Sequence, residues 1–439
     1  MWLRQETYAR RRRAVMDRLG ANAAAIFPSA PPSTRSNDVE YPYRADNDFL
    51  YLTGFREPEA VCLLVPGHPK GEFVLFVRPR DRERETWTGR RTGVEGATAE
   101  YGADSAHAIQ ELDGLIGEYV GDREHLYYSF GRDTDLNDRV TRWLQQWRQG
   151  RPRTGKGPIG LLDPAAILHE MRLIKTEEEV DEMRRAAAIA RSGHRAAIES
   201  VRPGMFEYEI EAILDYTFRR HGASGPAYPS IVAAGANATI LHYTENDQRI
   251  GAEDLLLIDA GAEYRGYCSD VTRTFPAGPR FSDAQRKVYD VVLRAQLAAI
   301  DLIRPGVAVD APHQRAVEVL VEGMLEIGLL QGEAADIIAN EKYRPYYMHR
   351  TSHWLGMDVH DVGAYKIGDG SRTLEPGMVL TVEPGLYVAA DAEDAAAQFR
   401  GIGVRIEDDV LVTASGHEVL SAGIPKDPDE IEAIRSRNS

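Results

Sequence analysis

Short apolar runs separated by turn residues fill the first third of the chain. Four of these runs predict strands: residues 23–27, 48–55, 60–67 and 71–79. Apolar residues recur at helical spacing in 108–120 and 138–149, so this part predicts a mixed α/β domain. The basic, Gly- and Pro-rich stretch 148–160 has no periodicity and predicts a surface connection.

A different pattern begins at Thr176. Thr176 and Glu179 form a T-x-x-E capping box at the start of a long amphipathic pattern, which predicts the beginning of a helix. Further helices are predicted at 206–222, 282–303 and 313–328.

The second half of the chain contains two similar segments, which suggest an internal repeat. The pattern predicts the same order of elements in segments 199–222 and 300–328. Each has the end of a helix, an R-P-G turn and a second helix that ends in Gly. Such a repeat favours a domain whose two halves are related by a pseudo-twofold axis, with a cleft where the halves meet. We expect an α/β (α+β) protein with two domains, residues 1–172 and 173–439.

Composition narrows the class of protein. A formal charge of −16 disfavours binding to nucleic acid or to an anionic membrane surface. Two cysteines cannot build a disulfide framework. The sequence has no apolar run of ~18 residues and no secretory signal pattern, so we expect a cytoplasmic protein.

Acidic residues follow apolar, strand-like runs in the second half. Asp259 and Asp270 flank Tyr264-Arg265. If those two residues form a hairpin loop, the aspartates lie directly opposite each other, with Cβ atoms ~4.5–5.5 Å apart. Carboxylates that close repel each other unless a proton or cation lies between them. A three-residue turn containing Gly266 would instead shift the register by one residue.

Two more acids and a histidine-rich segment extend this pattern. Glu383 and Glu407 lie in strand-like runs, and one short segment contributes His349, His353 and His360. Isolated buried charge is costly, so the acids indicate a shared cation site. Oxygen-rich ligation with one imidazole favours Mn²⁺, with Co²⁺, Fe²⁺ or Zn²⁺ able to substitute. Shared carboxylates would hold two such ions ~3.5–4 Å apart.

Seven segments of the sequence resemble those of a known protein family. They are TRSNDVEYPYRADNDFLYLTGFREPEA (34–60), ETWTGRR (85–91), ILHYTEN (240–246), LIDAGAEYRGYCSDVTRTFP (257–276), HRTSHWLGMDVHDVG (349–363), LEPGMVLTVEPGLY (374–387) and GIGVRIEDDVLVT (401–413). In this order they resemble the signature blocks of bacterial aminopeptidase P, the Xaa-Pro aminopeptidases among the pita-bread metallopeptidases. The resemblance covers nearly the whole chain.

The resemblance implies a dinuclear-metal enzyme with a pita-bread catalytic domain. A metal-bridging hydroxide would attack the Xaa-Pro bond and release the first residue of a peptide whose second residue is proline. The implied metal ligands are Asp259, Asp270, His353, Glu383 and Glu407, with Asp270 and Glu407 bridging both ions.

The resemblance also implies roles for neighbouring residues. Glu383 would shuttle the proton, and His242 and His360 would contact the scissile peptide and the oxyanion. His349 would line the proline side of the cleft. The supporting or cleft-lining residues would be Arg405, Tyr387 and Tyr228. Arg350 stands where the family often has Gly.

In the N-terminal domain the resemblance implies a homotetramer, with a dimer as the smaller alternative. Trp87 would form part of the wall of the active-site cleft, and Asp38 would reach that cleft from another subunit. The plainer interpretation is local packing of Trp87 and a turn position for Asp38.

Two other functions stay open at this point. A prolidase shares the fold and the metals but cleaves only Xaa-Pro dipeptides. A catalytically inactive pita-bread module would bind peptides or proteins, but such proteins lose metal ligands, and this chain keeps all five positions.

Overall fold

A computed structural model describes residues 2–437, and the chain divides into two compact units after Glu170. The helices and strands of the first unit are α1 (Gln5–Leu19), β1 (Ala23–Pro28), β2 (Thr34–Ser36), β3 (Val39–Glu40), α2 (Asn47–Thr53), β4 (Val61–Leu64), β5 (Phe73–Val77), α3 (Arg82–Thr88), α4 (Gly93–Ala99), β6 (Ser105–Ala108), α5 (Leu112–Val120), β7 (His125–Tyr127), α6 (Thr134–Thr154), β8 (Gly160–Leu162) and α7 (Ala165–Leu173), which continues past Glu170.

A six-stranded mixed sheet forms the centre of this unit, in the order β6-β5-β4-β1-β7-β8. β1 pairs antiparallel with β4 and parallel with β7. Buried side chains of β4, α5 and α6, such as Leu63, Ile116 and Trp143, share one apolar core. The predicted strands 23–27, 60–67 and 71–79 are confirmed as β1, β4 and β5.

Two predictions for this unit are wrong. Residues 48–55 were predicted as a strand, but residues 48–53 lie in helix α2, whose seven residues are all buried. A helix buried on all sides lacks a polar face, so its short apolar run looks like a buried strand. Asp46 sets the start of α2, because its Oδ1 accepts hydrogen bonds from the amides of Asp48 and Phe49 at 2.9 and 3.2 Å.

The predicted connection 148–160 is also too long, since α6 continues to Thr154 and ends at Gly155, where φ is +69°.

The second unit is built from helix pairs and small antiparallel sheets. Its elements are α8 (Glu177–Ser200), α9 (Glu207–Arg220), β9 (Gly225–Pro226), β10 (Ile231–Ala234), β11 (Leu255–Asp259), β12 (Ala262–Tyr264), β13 (Tyr267–Cys268), β14 (Thr272–Pro276), α10 (Asp283–Asp301), α11 (Ala311–Glu326), α12 (Ala334–Ala339), β15 (Lys366–Ile367), β16 (Gly370–Ser371), β17 (Val379–Val382), β18 (Gly385–Val388), β19 (Ile402–Arg405), β20 (Asp408–Thr413), β21 (Gly416–Val419) and α13 (Pro428–Ser436).

The two similar segments of the sequence correspond to two helix pairs, α8–α9 and α10–α11. Each pair is joined through an R-P-G turn whose glycine has positive φ, +93° at Gly204 and +85° at Gly306. The capping box is confirmed at the start of α8, where Glu179 Oε2 accepts from the Thr176 amide at 3.0 Å.

The sheets of this unit are β10-β11-β14, β13-β12-β9, β17-β20-β21 and the pairs β15-β16 and β18-β19. Apolar side chains of β10, β11, β14, β18 and β19 form one core with the helix pairs. Those of β17 and β20 belong to a second apolar cluster. Within residues 2–437, no helix combines the length and apolar character needed to cross a membrane.

Candidate metal centre

The hairpin that carries the first two aspartates turns at Arg265 and Gly266. Tyr264 pairs with Tyr267, and the two residues between them have φ of +50° and +78°. Positive φ at both loop positions is typical of a two-residue turn whose twist matches the strands. Of the two turns considered from the sequence, neither the Tyr264-Arg265 loop nor the three-residue turn occurs.

This register places Asp259 opposite Thr272 rather than opposite Asp270. Asp270 lies in the irregular segment between β13 and β14. The two carboxyl groups nevertheless meet at one hydroxyl, because the Tyr228 O–H lies 2.5 Å from Oδ1 of each aspartate. The predicted proximity is achieved by a break in the strand rather than by direct cross-strand pairing.

Three of the predicted metal ligands form a compact group. Ligand atoms of Asp270, His353 and Glu407 all lie within 4.8 Å of one another. His353 Nε2 is 3.3 Å from Asp270 Oδ2 and 3.5 Å from Glu383 Oε1. Glu383 therefore adjoins the group, and Asp259 joins it through the shared Tyr228 hydroxyl.

These side chains line one cavity of about 540 Å³, which we call the catalytic cavity. The predicted residues that line it are Tyr228, His242, Asp259, Asp270, His349, His353, His360, Glu383, Arg405 and Glu407. Tyr387 lies behind this lining, where its hydroxyl accepts from Arg405 Nη1 at 3.0 Å and lies 2.8 Å from His349 Nε2.

The acids stand where strands end. Asp259 closes β11, Glu383 follows β17, and Glu407 lies between β19 and β20. Strand ends allow a carboxylate to leave the apolar face while its neighbours stay buried. For this reason acidic side chains from separate sheets lie close together at the catalytic cavity.

Arg405 binds this cluster with all three of its guanidinium nitrogens. Nη2 donates to Asp259 Oδ2 at 2.7 Å, Nε donates to Thr272 Oγ1 at 3.1 Å and Nη1 donates to Tyr387. Its side chain is only 4% exposed. Arg405 therefore holds fixed the positions of groups from three different strands.

Three residues that the sequence interpretation missed support the ligands. Thr272 Oγ1 donates to Glu407 Oε2 at 2.6 Å, and Thr381 Oγ1 donates to Glu383 Oε1 at 3.3 Å. The Asp409 carboxylate accepts from the amide of Asp270 at 3.2 Å through both oxygens. The two threonines lie two residues from acids in the sequence, and this spacing was the available signal.

The crowding of carboxyl groups perturbs their proton affinities. Burial raises the pKa of Asp259, an effect that the nearby Arg405 opposes. Burial, followed by repulsion from Asp270, raises the pKa of Glu407 well above its usual range. Burial also raises the pKa of Glu383 to about 7, although His353 opposes it.

This electrostatic state provides a test of whether divalent ions fit the site. Carboxyl groups that disfavour ionisation together become stable anions when cations lie among them. The donors are carboxylate oxygens with one imidazole nitrogen, the set that Mn²⁺ and similar divalent ions accept. The residues therefore fit a cluster of divalent metal ions.

The remaining histidines surround this cluster. The rings of His353 and His360 meet edge to face with centroids 4.4 Å apart. Burial and the adjacent His353 lower the pKa of His360, so its ring is neutral near neutral pH. Burial, followed by the charge of Arg405, lowers the pKa of His349 to about 4.

Trp87 and Asp38 belong to the first unit. Trp87 lies in α3 and is 85% exposed, so the interpretation of local packing for Trp87 is wrong. Asp38 is an exposed turn residue whose Oδ1 accepts from Asn37 Nδ2 at 3.3 Å. Neither residue is among those that line the catalytic cavity.

Comparison with known proteins defines the class. The model of metallopeptidase family M24 matches residues 181–414, and that of the aminopeptidase P N-terminal domain matches residues 8–127. The Xaa-Pro aminopeptidase of Escherichia coli (strain K12) is 45% identical over 98% of this chain and 97% of its own. That of Haemophilus influenzae is 41% identical over 98% and 97%.

Solved structures agree with the sequence relatives. Pseudomonas aeruginosa aminopeptidase PepP superposes with a TM-score of 0.98 and 49% identity, covering 100% of this chain and 99% of the other. Escherichia coli aminopeptidase P with the inhibitor Pro-Leu gives 0.96 and 43%, covering 100% and 99%.

Fold, site and comparisons together define a metallopeptidase with an N-terminal aminopeptidase P domain and a C-terminal pita-bread domain. Within metallopeptidase family M24, the chain belongs to the Xaa-Pro aminopeptidases, which are hydrolases. The predicted fold class and enzyme class are thereby confirmed.

Proposed function

We propose that this enzyme is a dinuclear-metal aminopeptidase that hydrolyses the bond between the first residue and a following proline. The observation that carries the proposal is the group formed by Asp270, His353 and Glu407, whose ligand atoms lie within 4.8 Å of one another. Asp259 and Glu383 border this group and would complete the two ligand sets. Mn²⁺ is the ion that this oxygen-rich donor set favours.

Two divalent ions supply, when bound, a lowered pKa for the attacking water and polarisation of the scissile carbonyl. Glu383 would take a proton from this water and pass it to the nitrogen of the departing proline. Its position supports that exchange, because Glu383 lines the catalytic cavity and its Oε1 lies 3.5 Å from His353 Nε2.

The histidines would act on the substrate. His242 and His360 line the catalytic cavity, and a neutral imidazole N–H there can donate to the oxygen on which negative charge develops. His349 would line the proline side, where Tyr387 fixes its ring through the 2.8 Å contact with Nε2. Tyr228 would hold Asp259 and Asp270 in place and line the cleft.

We further propose a homotetramer in the cytoplasm, with the N-terminal domain, residues 1–172, contributing to assembly and to closure of a neighbouring active site. The exposed aromatic side chains of Tyr41 (54%) and Trp87 (85%) support this proposal, because exposed apolar groups often mark interfaces. The catalytic domain would be residues 173–439.

The test combines metal analysis with two peptides. The purified protein is stripped with chelator, reloaded with Mn²⁺ and assayed on an Xaa-Pro-Xaa tripeptide and an Xaa-Pro dipeptide. We expect two ions per chain, loss and recovery of activity, and cleavage of the tripeptide. A single ion per chain contradicts the dinuclear site, and cleavage of the dipeptide alone contradicts the substrate assignment in favour of prolidase.

A further inference from the structure

Arg350 lies where three cavities of the second unit meet. Its side chain lines the catalytic cavity and also a cavity of about 370 Å³ bordered by His313, Arg344 and Tyr347, which we call the side cavity. It also lines a third cavity of about 580 Å³ that Lys366 borders. A group that leaves the catalytic cavity on this side therefore passes Arg350.

The guanidinium of Arg350 has free hydrogen-bonding capacity. Over residues 2–437, no carboxylate oxygen lies within 4 Å of it, whereas Arg344 in the side cavity pairs with Glu341 at 3.1 Å. Arg405, the other arginine of the catalytic cavity, already uses all three nitrogens. Of the two arginines that line the catalytic cavity, Arg350 is therefore the one whose guanidinium can bind a new anionic partner.

The histidine of the side cavity, His313, does not add a second positive charge beside Arg350. Burial, followed by the charge of Arg350, lowers the pKa of His313 to about 4, so this ring is neutral at neutral pH. Its Nδ1 lies 2.8 Å from Thr351 Oγ1. Because Arg344 is paired with Glu341 at 3.1 Å, the unpaired positive charge of the side cavity belongs to Arg350.

The chain geometry connects Arg350 to the proline side of the substrate. His349 precedes it, and His349 Nδ1 lies 2.7 Å from the carbonyl oxygen of Arg350. If His349 lines the proline, as the proposed function states, the residue after proline extends toward Arg350. The terminal carboxylate of a tripeptide lies about one residue, ~3.5 Å of extended chain, beyond that proline.

We infer that Arg350 binds the C-terminal carboxylate of short substrates, so that this enzyme prefers tripeptides with a free carboxylate; this inference rests on the proposed function. The planar guanidinium matches a carboxylate with two parallel hydrogen bonds. The contact gives a specificity that a glycine at this position, which the family often has, cannot provide.

The experiment compares Ala-Pro-Leu with Ala-Pro-Leu amide. With the Mn²⁺-loaded enzyme, kcat/KM for the acid should exceed that for the amide by about 5- to 20-fold, the range for one charge-assisted pair at a half-open site. In Arg350→Gln this ratio should fall to about one. Arg350→Lys should retain part of it, because the charge remains while the planar fork is lost.

Lys366→Gln is the matched control, because it removes an exposed cation from the third cavity and leaves Arg350 in place. The acid-to-amide ratio should stay at the wild-type value in this variant. An equal loss in Lys366→Gln and Arg350→Gln would overturn the assignment to Arg350. So would equal cleavage of acid and amide by the wild-type enzyme.

Calorimetric titration with Pro-Leu and Pro-Leu amide tests the contact without turnover. The acid should bind more tightly than the amide in the wild-type enzyme and equally in Arg350→Gln. Tripeptide cleavage without discrimination between acid and amide refutes the Arg350 contact but leaves the proposed function intact. Absence of cleavage refutes the proposed function, and the titration then decides the contact separately.

Discussion

Arg405 donates through Nη2 to Asp259 Oδ2 at 2.7 Å, although 146 positions separate these two residues in the chain. The same guanidinium also contacts Thr272 and Tyr387. One buried cation therefore orients the carboxylate of Asp259, a predicted metal ligand, together with two neighbouring hydroxyl groups.

Arg405→Lys should disturb this arrangement while retaining the charge. An ammonium cannot reproduce the three directions of the guanidinium. We expect kcat and metal affinity to fall about 10- to 100-fold, the usual cost of losing a partner that orients a ligand. Metal titration and steady-state kinetics measure this effect, and wild-type values for both would show that the fork geometry is dispensable.

His360→Ala tests the assignment of an oxyanion donor. We expect kcat to fall by about 10²–10³, the cost typical of removing one such donor, while two ions per chain are retained. The measurement is kcat and KM on a tripeptide together with metal analysis. If the variant loses a metal ion, His360 acts on the site's structure instead.

The raised carboxyl pKa values predict that metal binding depends on pH. Glu383, with a pKa of about 7, and His353, whose hydrogen bond to Asp270 overcomes the effect of burial and raises its pKa to about 9, must both lose protons when a cation binds. Raising the pH from 6 to 8 should therefore increase Mn²⁺ affinity. At one fixed Mn²⁺ concentration, about 100-fold above the Kd at pH 8, Tm should rise by about 5–10 °C at pH 8 and by less at pH 6.

Differential scanning calorimetry at the two pH values, with and without Mn²⁺, checks this prediction. Glu407→Gln serves as the control, because it keeps the volume of a central ligand but removes its charge. An equal Tm increase at pH 6 and pH 8 would contradict the assigned coupling between protons and metal.

Asp361→Asn should destabilise the second unit strongly. Asp361 Oδ1 accepts from Arg172 at 2.7 Å and Oδ2 accepts from Lys175 at 3.0 Å, all within the protein interior. Removal of one partner leaves buried charge uncompensated, which costs about 3–5 kcal/mol. Urea unfolding measures this loss. Asp358→Asn, which removes a half-exposed partner of the same arginine, should cost only about 0–1 kcal/mol.

The same cluster predicts how stability depends on pH. Burial alone would raise the pKa of Asp361, but Lys175 and Arg172 outweigh it and lower that pKa below its usual value. Its contribution is therefore complete above the ordinary Asp pKa and is lost as the pH falls toward the lower folded value. Unfolding curves of Asp361→Asn should depend less on pH in the acidic range than those of the wild type.

Trp87→Ala tests the proposed role of the N-terminal domain. We expect a change in KM or in substrate-length preference with unchanged metal content, because Trp87 lies in α3 of the first unit, away from every proposed ligand in the sequence. Sedimentation with parallel kinetics measures assembly and activity. A fully active monomer would contradict both the tetramer and the proposed closure.

The sequence alone determined the parts of this protein that depend on local periodicity. Amphipathic spacing and the Thr176–Glu179 box located α8, and the repeated R-P-G turns marked the two helix pairs. The sequence also indicated a candidate cation site, because carboxylates after apolar strand runs are costly unless a partner is present. The order of the sequence blocks correctly indicated the family.

Only the tertiary structure decided the contacts that join distant segments. The sequence left the register between Asp259 and Asp270 open, and neither alternative occurs, because a shift of one turn residue changes every pair in a hairpin. The buried helix α2 was taken for a strand because burial on all sides removes the polar face. Thr272, Asp409 and the threefold contact of Arg405 depend on how separate sheets pack, and local sequence preferences carry no information on that packing.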